Sequence, residues 1–163
     1  MPLERRTVNC EGKTASGRAC SRRTTKYPKL CWQHFRKKTG LKIEQSGIPN
    51  AGDGVFTTRR IPANKKIADY TGRETKQPPP NTDYTIGPLG RDGHFLTSTT
   101  TQDAVGKNIN DCKASNRRAG YCRGNNARIF ERGSRVYIRA MSRPIPANTE
   151  IFVSYGRDYW RNR

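Results

Sequence analysis

The chain has 163 residues, 32 of them Lys or Arg and 13 Asp or Glu, giving a net charge of +19 on a hydrophobic fraction of 32%. That length fits one ordinary domain with a small extra module, and an apolar share under the usual roughly 45–50% leaves a modest core, which excludes a large multidomain enzyme. No run approaches the roughly 18 apolar residues of a membrane span, and the start Met1-Pro2-Leu3-Glu4-Arg5-Arg6 lacks the apolar stretch of a secretory signal, so the expectation is a soluble, intracellular protein with no membrane partner.

The first element in chain order is residues 1–43, with 12 Lys/Arg against Glu4 and Glu11, a net +10; residues 44–163 carry +9. So dense a surplus attracts polyanions by counterion release, which points to nucleic acid, nucleosomes or an acidic surface. A generally basic protein without such a partner is the alternative. The same segment spaces Cys10, Cys20, Cys31 and His34 as C-x9-C-x10-C-x2-H. Its last gap lets a thiolate and an imidazole converge on one tetrahedral Zn²⁺, and a segment this polar has no other evident reason to order. Unremarkable thiols are the competing reading. Five cysteines, an odd count at uneven spacing, fit reduced thiols and a metal site better than a disulfide framework.

Arg36-Lys37-Lys38-Thr39-Gly40 predicts the close of a short helix and a linker, dividing a module at 1–43 from a domain at 44–163. Beyond it the texture is β. Short β-branched or aromatic runs at Val55-Phe56, Lys66 to Tyr70, Asp83 to Ile86, His94 to Leu96, Arg128 to Phe130, Arg135 to Ala140 and Glu150 to Tyr155 are separated by Gly, Pro or Asn, a mainly β pattern with irregular loops. Pro78, Pro79 and Pro80 mark a surface excursion. Asn108 to Asn126 reads as a long loop.

Four motifs then occur in one order: Ala51-Gly52-Asp53-Gly54-Val55-Phe56; Asp69-Tyr70-Thr71-Gly72; Asn108-Ile109-Asn110-Asp111 with Asn126-Ala127-Arg128 behind it; and Glu150-Ile151-Phe152-Val153-Ser154-Tyr155-Gly156. Together they resemble a SET-domain protein lysine methyltransferase over about residues 46–160. The ending Ser154 to Trp160 is similar to the minimal SET enzymes of large DNA viruses. The Cys-Cys-Cys-His pattern loosely resembles short basic zinc modules of such viruses and of some eukaryotes. The resemblance implies a mainly β SET fold, several small sheets with a pseudoknot, preceded by the zinc module. It further implies S-adenosylmethionine as methyl donor and lysine in a protein, foremost a histone tail or nucleosome, as acceptor. DNA is then expected on the basic N-terminal module, the protein in the nucleus at chromatin, as monomer or homodimer.

Methyl transfer is an in-line displacement, so the site's work is positioning. The resemblance gives Ala51, Gly52, Asp53 and Gly54 a place against the cofactor, where glycines admit close backbone approach. Asn110 and Asp111 join the same set, Asn110 pairing with the cofactor's amino-acid end. Tyr155 is the expected catalytic residue, also touching the cofactor, its hydroxyl orienting the amine. Tyr84, Phe95, Val153 and Tyr155 are expected to line the lysine channel, Tyr84 also reaching the cofactor. Trp160 is expected to stack on adenine or, alternatively, to pack an end of a sheet.

The sequence departs from the family in reading Asn110-Asp111-Cys112 where an Asn-His pair is usual, and in a longer insertion, holding Cys112 and Cys122, before Asn126. No three-cysteine cluster follows Trp160, so another cover for the channel is expected, the C-terminal aromatics or a second subunit. Two further readings stay open: a basic DNA- or chromatin-binding scaffold on an inactive SET fold, and methylation of a non-histone protein.

Overall fold

A computed structural model describes residues 3–161 of the chain. The basic N-terminal part contributes two strands of two residues, β1 (Val8–Asn9) and β2 (Arg23–Thr24), paired antiparallel, and helix α1 (Trp32–Thr39). α1 buries Phe35 and stops at Gly40, whose left-handed φ of 72° turns its N–H back onto the Arg36 carbonyl at 2.8 Å. β3 (Leu41–Gln45) follows at once and pairs antiparallel with β4 (Asp53–Thr57). Leu41 and Ile43 face inward while Glu44 stays exposed, as strand alternation requires. β3 therefore runs through the boundary placed after residue 43.

β5 (Lys66–Tyr70), β6 (Arg73–Thr75), β7 (Thr85–Leu89) and β8 (His94–Thr97) come next, then a 3-10 turn at Val105–Asn108 and the short helix α2 (Ala114–Arg118). β9 (Ala127–Arg132), β10 (Arg135–Ala140) and helix α3 (Arg157–Arg161) complete the order. The strands form four small sheets, β1-β2, β3-β4, β5-β10-β9 and β6-β8-β7. The mainly β architecture of small sheets is the one expected. No described helix is long and apolar enough to cross a membrane.

One cluster forms the main core: Phe35, Leu41, Ile43, Val55, Ala68, Val105, Ile109, Ala127, Ile138, Ile151 and Val153, with Tyr27 and Leu30 packed against it. It draws on both the N-terminal part and the strands, so a polar segment is ordered by apolar anchors as well as by its cysteines. Near the C-terminus, residues 150–153 thread between segments distant in sequence. Ile151 N–H donates to Val55 O (2.8 Å), Val153 N–H to Asn110 O (2.9 Å), and Phe152 O accepts from the N–H groups of Asn126 and Ala127. Residues 151–153 are thus held on both sides by segments distant in sequence.

The insertion corrects one expectation. Cys112 and Cys122, read as reduced thiols, form a disulfide with Cα atoms 6.0 Å apart, inside the usual bonding window. An odd total says nothing once three cysteines gather elsewhere; the remaining two flank α2, whose turn returns the chain on itself.

Candidate functional site

Cys10, Cys20, Cys31 and His34 meet in one cluster whose ligand atoms all lie within 4.8 Å of one another. Cys20 and Cys31 Sγ are 4.0 Å apart, and His34 Nδ1 is 3.3 Å from both Cys10 and Cys31 Sγ. A tetrahedron with Zn–S bonds of roughly 2.3 Å has edges of about 3.8 Å, so the donor set fits zinc. His34 Nε2 lies 2.7 Å from the Lys13 carbonyl, and donating its proton there leaves Nδ1 free to ligate. Cys31 is held down at about 6: burial opposes its ionisation, but the His34 N–H and the Cys10 and His34 side chains outweigh burial. Gly12 has to be glycine, because a Cβ there would strike the His34 ring.

A second cluster forms where residues 150–155 thread past Asn110. Asn110 Nδ2 donates to Asp53 O (3.0 Å) and to Glu150 Oε1 (3.4 Å). Glu150, buried, also accepts from Ser46 Oγ (2.6 Å) and Gly47 N–H (2.9 Å), pinning the loop that enters β4. A Cβ on Gly54 would strike this carboxylate, so Gly54 is glycine because of Glu150. Gly52 differs: its φ is +72° and a Cβ there would meet nothing within 4 Å, so it shapes a turn beside open space. With Nδ2 committed inward, Asn110 Oδ1 accepts no hydrogen bond among the described residues and is available to an ammonium donor.

Asp111 organises the catalytic candidate. It is buried, and its Oδ2 accepts both Tyr155 N–H (2.9 Å) and Trp160 Nε1–H (2.9 Å) while Oδ1 accepts Asn125 Nδ2 (3.1 Å). The Tyr155 hydroxyl donates to Ile109 O at 2.7 Å. Burial pushes the Tyr155 phenol above its ordinary range, with Tyr159, Tyr70 and Asp111 adding to it, so the hydroxyl stays neutral. Tyr70, buried and raised for the same first reason, donates to Tyr84 O at 2.5 Å. Tyr84 is held at φ 56° and is more exposed; burial first, then Asp83 and Asp53, raise its phenol. Trp160 lies nearly parallel to Tyr155, centroids 6.0 Å apart, and Lys113 Nζ sits 3.8 Å from the Trp160 ring centre.

Ala51 packs beside Ile48, Cys112 and Phe152, and Asp53 pairs with Lys26 of the N-terminal part at 2.8 Å. Val153 is enclosed in the main core bordered by Tyr155. Phe95 lies on β8 next to Leu96, so it faces away from the Tyr70–Leu96 cluster, toward Gly87. Sequence reasoning assigned no role to Glu150, Tyr70 or Ser46; the first two lay inside quoted motifs, but nothing local says that an acid there is buried. Asp111 also turns out to orient Tyr155 and Trp160 through its side chain.

The sequence model of the SET domain family matches residues 52–156, more than half of the chain. Comparison with curated proteins gives no match. Among solved structures, the fold is similar to the methyltransferase domain of human PR domain-containing protein 2, with TM-score 0.58 and 17% identity over 73% of this chain and 78% of that one. A Plasmodium falciparum protein described as a candidate histone methyltransferase aligns with TM-score 0.51 and 22% identity over 75% of this chain and 97% of that one. The Cryptosporidium protein CpSET8 aligns with TM-score 0.56 and 13% identity over 76% of this chain and 61% of that one. At such identities the likeness is one of fold.

Proposed function

The chain belongs to the SET domain family, and on that premise we propose that it transfers methyl groups from S-adenosylmethionine to lysine side chains of a protein, a histone tail in chromatin first among them. The observation that carries this reading is the convergence of Asn110, Asp111 and Tyr155 on one threaded segment, with Gly52 opening space beside it. S-adenosylmethionine, when bound, supplies a methyl group on a sulfonium centre. Asn110 Oδ1 would accept from its ammonium, Gly52 would leave room for it, and Asp111 would hold Tyr155 and Trp160 in place. The neutral Tyr155 hydroxyl is a fixed dipole that orients an incoming amine. A lysine must arrive deprotonated although its ordinary pKa is near 10.4; an aromatic approach past Tyr84 and Tyr155, as the resemblance implies, would lower it by desolvation, and a cationic neighbour would lower it further.

In the same reading, zinc on Cys10, Cys20, Cys31 and His34 orders the N-terminal part, which holds DNA through its +10 charge and keeps the protein at chromatin in the nucleus. The similarity of Ser154 to Trp160 to minimal viral enzymes supports a place among these. One observation favours a second reading, an inactive basic scaffold: the Lys113 ammonium occupies the Trp160 ring that adenine would need.

Tyr155→Phe separates the two. Cofactor affinity by calorimetry is expected to stay near wild type while single-turnover methylation of histones or nucleosomes falls by about 10²-fold or more, as for loss of one preorganised donor. Unchanged turnover would remove Tyr155 from the reaction, and absence of cofactor binding in the wild type would leave the scaffold.

A further inference from the structure

Strand alternation gives β9 and β10 a second face that the core does not use. Ile129, Val136 and Ile138 pack into the core clusters, so Arg128, Phe130 and Arg132 on β9 and Arg135, Tyr137 and Arg139 on β10 point the other way. The antiparallel register sets them directly opposite one another as Arg128–Arg139, Phe130–Tyr137 and Arg132–Arg135, an aromatic pair between two arginine pairs. The rings are half-buried with centroids 5.4 Å apart, and among the described residues neither packs against a core cluster. The guanidinium groups of Arg128 and Arg139 lie 5.9 and 5.2 Å from the Phe130 ring centre. Glu131 points to the opposite face, where it accepts Gly90 N–H at 2.7 Å, and Asp69, which stands beside Tyr137 on β5, is taken by Lys66 Nζ at 2.5 Å. Among the described residues the four arginines form no salt bridge.

Like charges directly opposite in an antiparallel pair destabilise it. Two such pairs on one hairpin, with both neighbouring acids engaged elsewhere, oppose folding for no reason that the core or methyl transfer supplies, and a bound polyanion relieves them. We propose that the outer face of β9 and β10 binds single-stranded nucleic acid, with bases stacked on Phe130 and Tyr137 and phosphates at the arginines on either side. At roughly 3.3 Å per residue the two arginine pairs stand about 13 Å apart, with the rings midway between them. A duplex can meet the arginines but keeps its bases stacked on one another, away from the rings, and an acidic protein needs the charges without the aromatic pair. Splayed bases on a phosphate backbone use both. The inference depends neither on methyl transfer nor on DNA binding by the N-terminal part.

The test uses the full chain and labelled oligothymidylate of about 12 nucleotides, with affinity read by fluorescence anisotropy between about 50 and 200 mM salt. Phe130→Ala/Tyr137→Ala is expected to weaken binding about 10-fold or more at an unchanged salt slope, because stacking carries no charge, and to leave affinity for a duplex of the same length as it was. In Arg132→Ala/Arg135→Ala the slope of log K against log salt is expected to become shallower by about 1.4, near 0.7 for each phosphate no longer neutralised on a single strand. Arg135→Glu turns a repulsive cross-strand pair into an attractive one, so it is expected to unfold at higher urea than wild type while binding the oligonucleotide more weakly. It decides the matter if the aromatic variant does not fold. Full affinity in both Phe130→Ala/Tyr137→Ala and Arg135→Glu, with the loss appearing only in Arg36→Ala/Lys37→Ala/Lys38→Ala, would overturn the proposal. So would an equal loss of duplex and single-strand affinity in the arginine variants with none in the aromatic variant, which would make the face a contact for duplex backbone. Binding of polyglutamate that Arg135→Glu abolishes, with oligothymidylate binding unaffected, would assign the face to a protein and equally overturn it.

Discussion

Lys107 is a buried cation that methyl transfer does not require. Its ammonium donates to Asp103 O at 2.5 Å, and burial pushes it down to about 8 despite the Asp103 carboxylate. A lysine whose folded pKa lies below its unfolded value of 10.5 penalises the folded state at low pH, and the penalty is relieved between about 8 and 10.5, where the unfolded chain binds more protons. Against Lys107→Met, wild type should therefore gain roughly 2–3 kcal/mol of unfolding free energy between about pH 7 and 10. Parallel denaturant midpoints across that range check it; a pH-independent difference would mean that the ammonium is solvated. The same scale shows where single residues mislead. Gly54 invites a cofactor explanation, yet the buried Glu150 carboxylate already requires it.

Among the elements, β1 and β2 are the least self-sufficient. Two-residue strands nucleate nothing, and Cys10, Cys20 and Cys31 make up a small cluster against which, among the described apolar residues, Leu30 packs. Zinc affinity is then folding free energy for this part. Removal of one zinc per chain by a chelator, followed by elemental analysis, should abolish hydrogen-exchange protection at residues 8–34 while β5, β9 and β10 keep theirs. Protection unchanged in metal-free protein would show that the cysteines order without metal. α2 illustrates the opposite kind of element. It has five residues, none buried, and is held by the Cys112–Cys122 bond instead of by packing.

At the scale of the whole molecule the N-terminal part is built into the domain. Tyr27 stacks obliquely on Phe35 with centroids 5.0 Å apart, its hydroxyl reaches Ile43 O at 3.3 Å, and Gln102 Nε2 donates to Arg6, Thr24 and Thr25 carbonyls. Deleting residues 1–40 would uncover Leu41 and Val55 and remove the buried Phe35, a side chain worth about 1.5–3 kcal/mol by burial alone. The shortened protein should unfold at clearly lower urea than the full chain, or fail to unfold cooperatively. An unaltered midpoint would mean that this packing contributes little.

Local chemistry was readable from the sequence: the β periodicity, the ligand types at Cys10, Cys20, Cys31 and His34, the glycine turns, and the order of motifs that pointed to a SET domain. Such signals depend on residues near one another in the chain or on types that carry their own chemistry. Pairings across long separations were decided only by tertiary structure. Glu150 reaches Ser46, and Asp111 reaches Trp160, because the threading of residues 150–153 puts them together, and no spacing encodes that. The grouping around the insertion is of the same kind. Arg117, Arg123, Trp160 and Asp111 come to line one cleft only once α2, closed by the disulfide, and the C-terminal helix are set side by side.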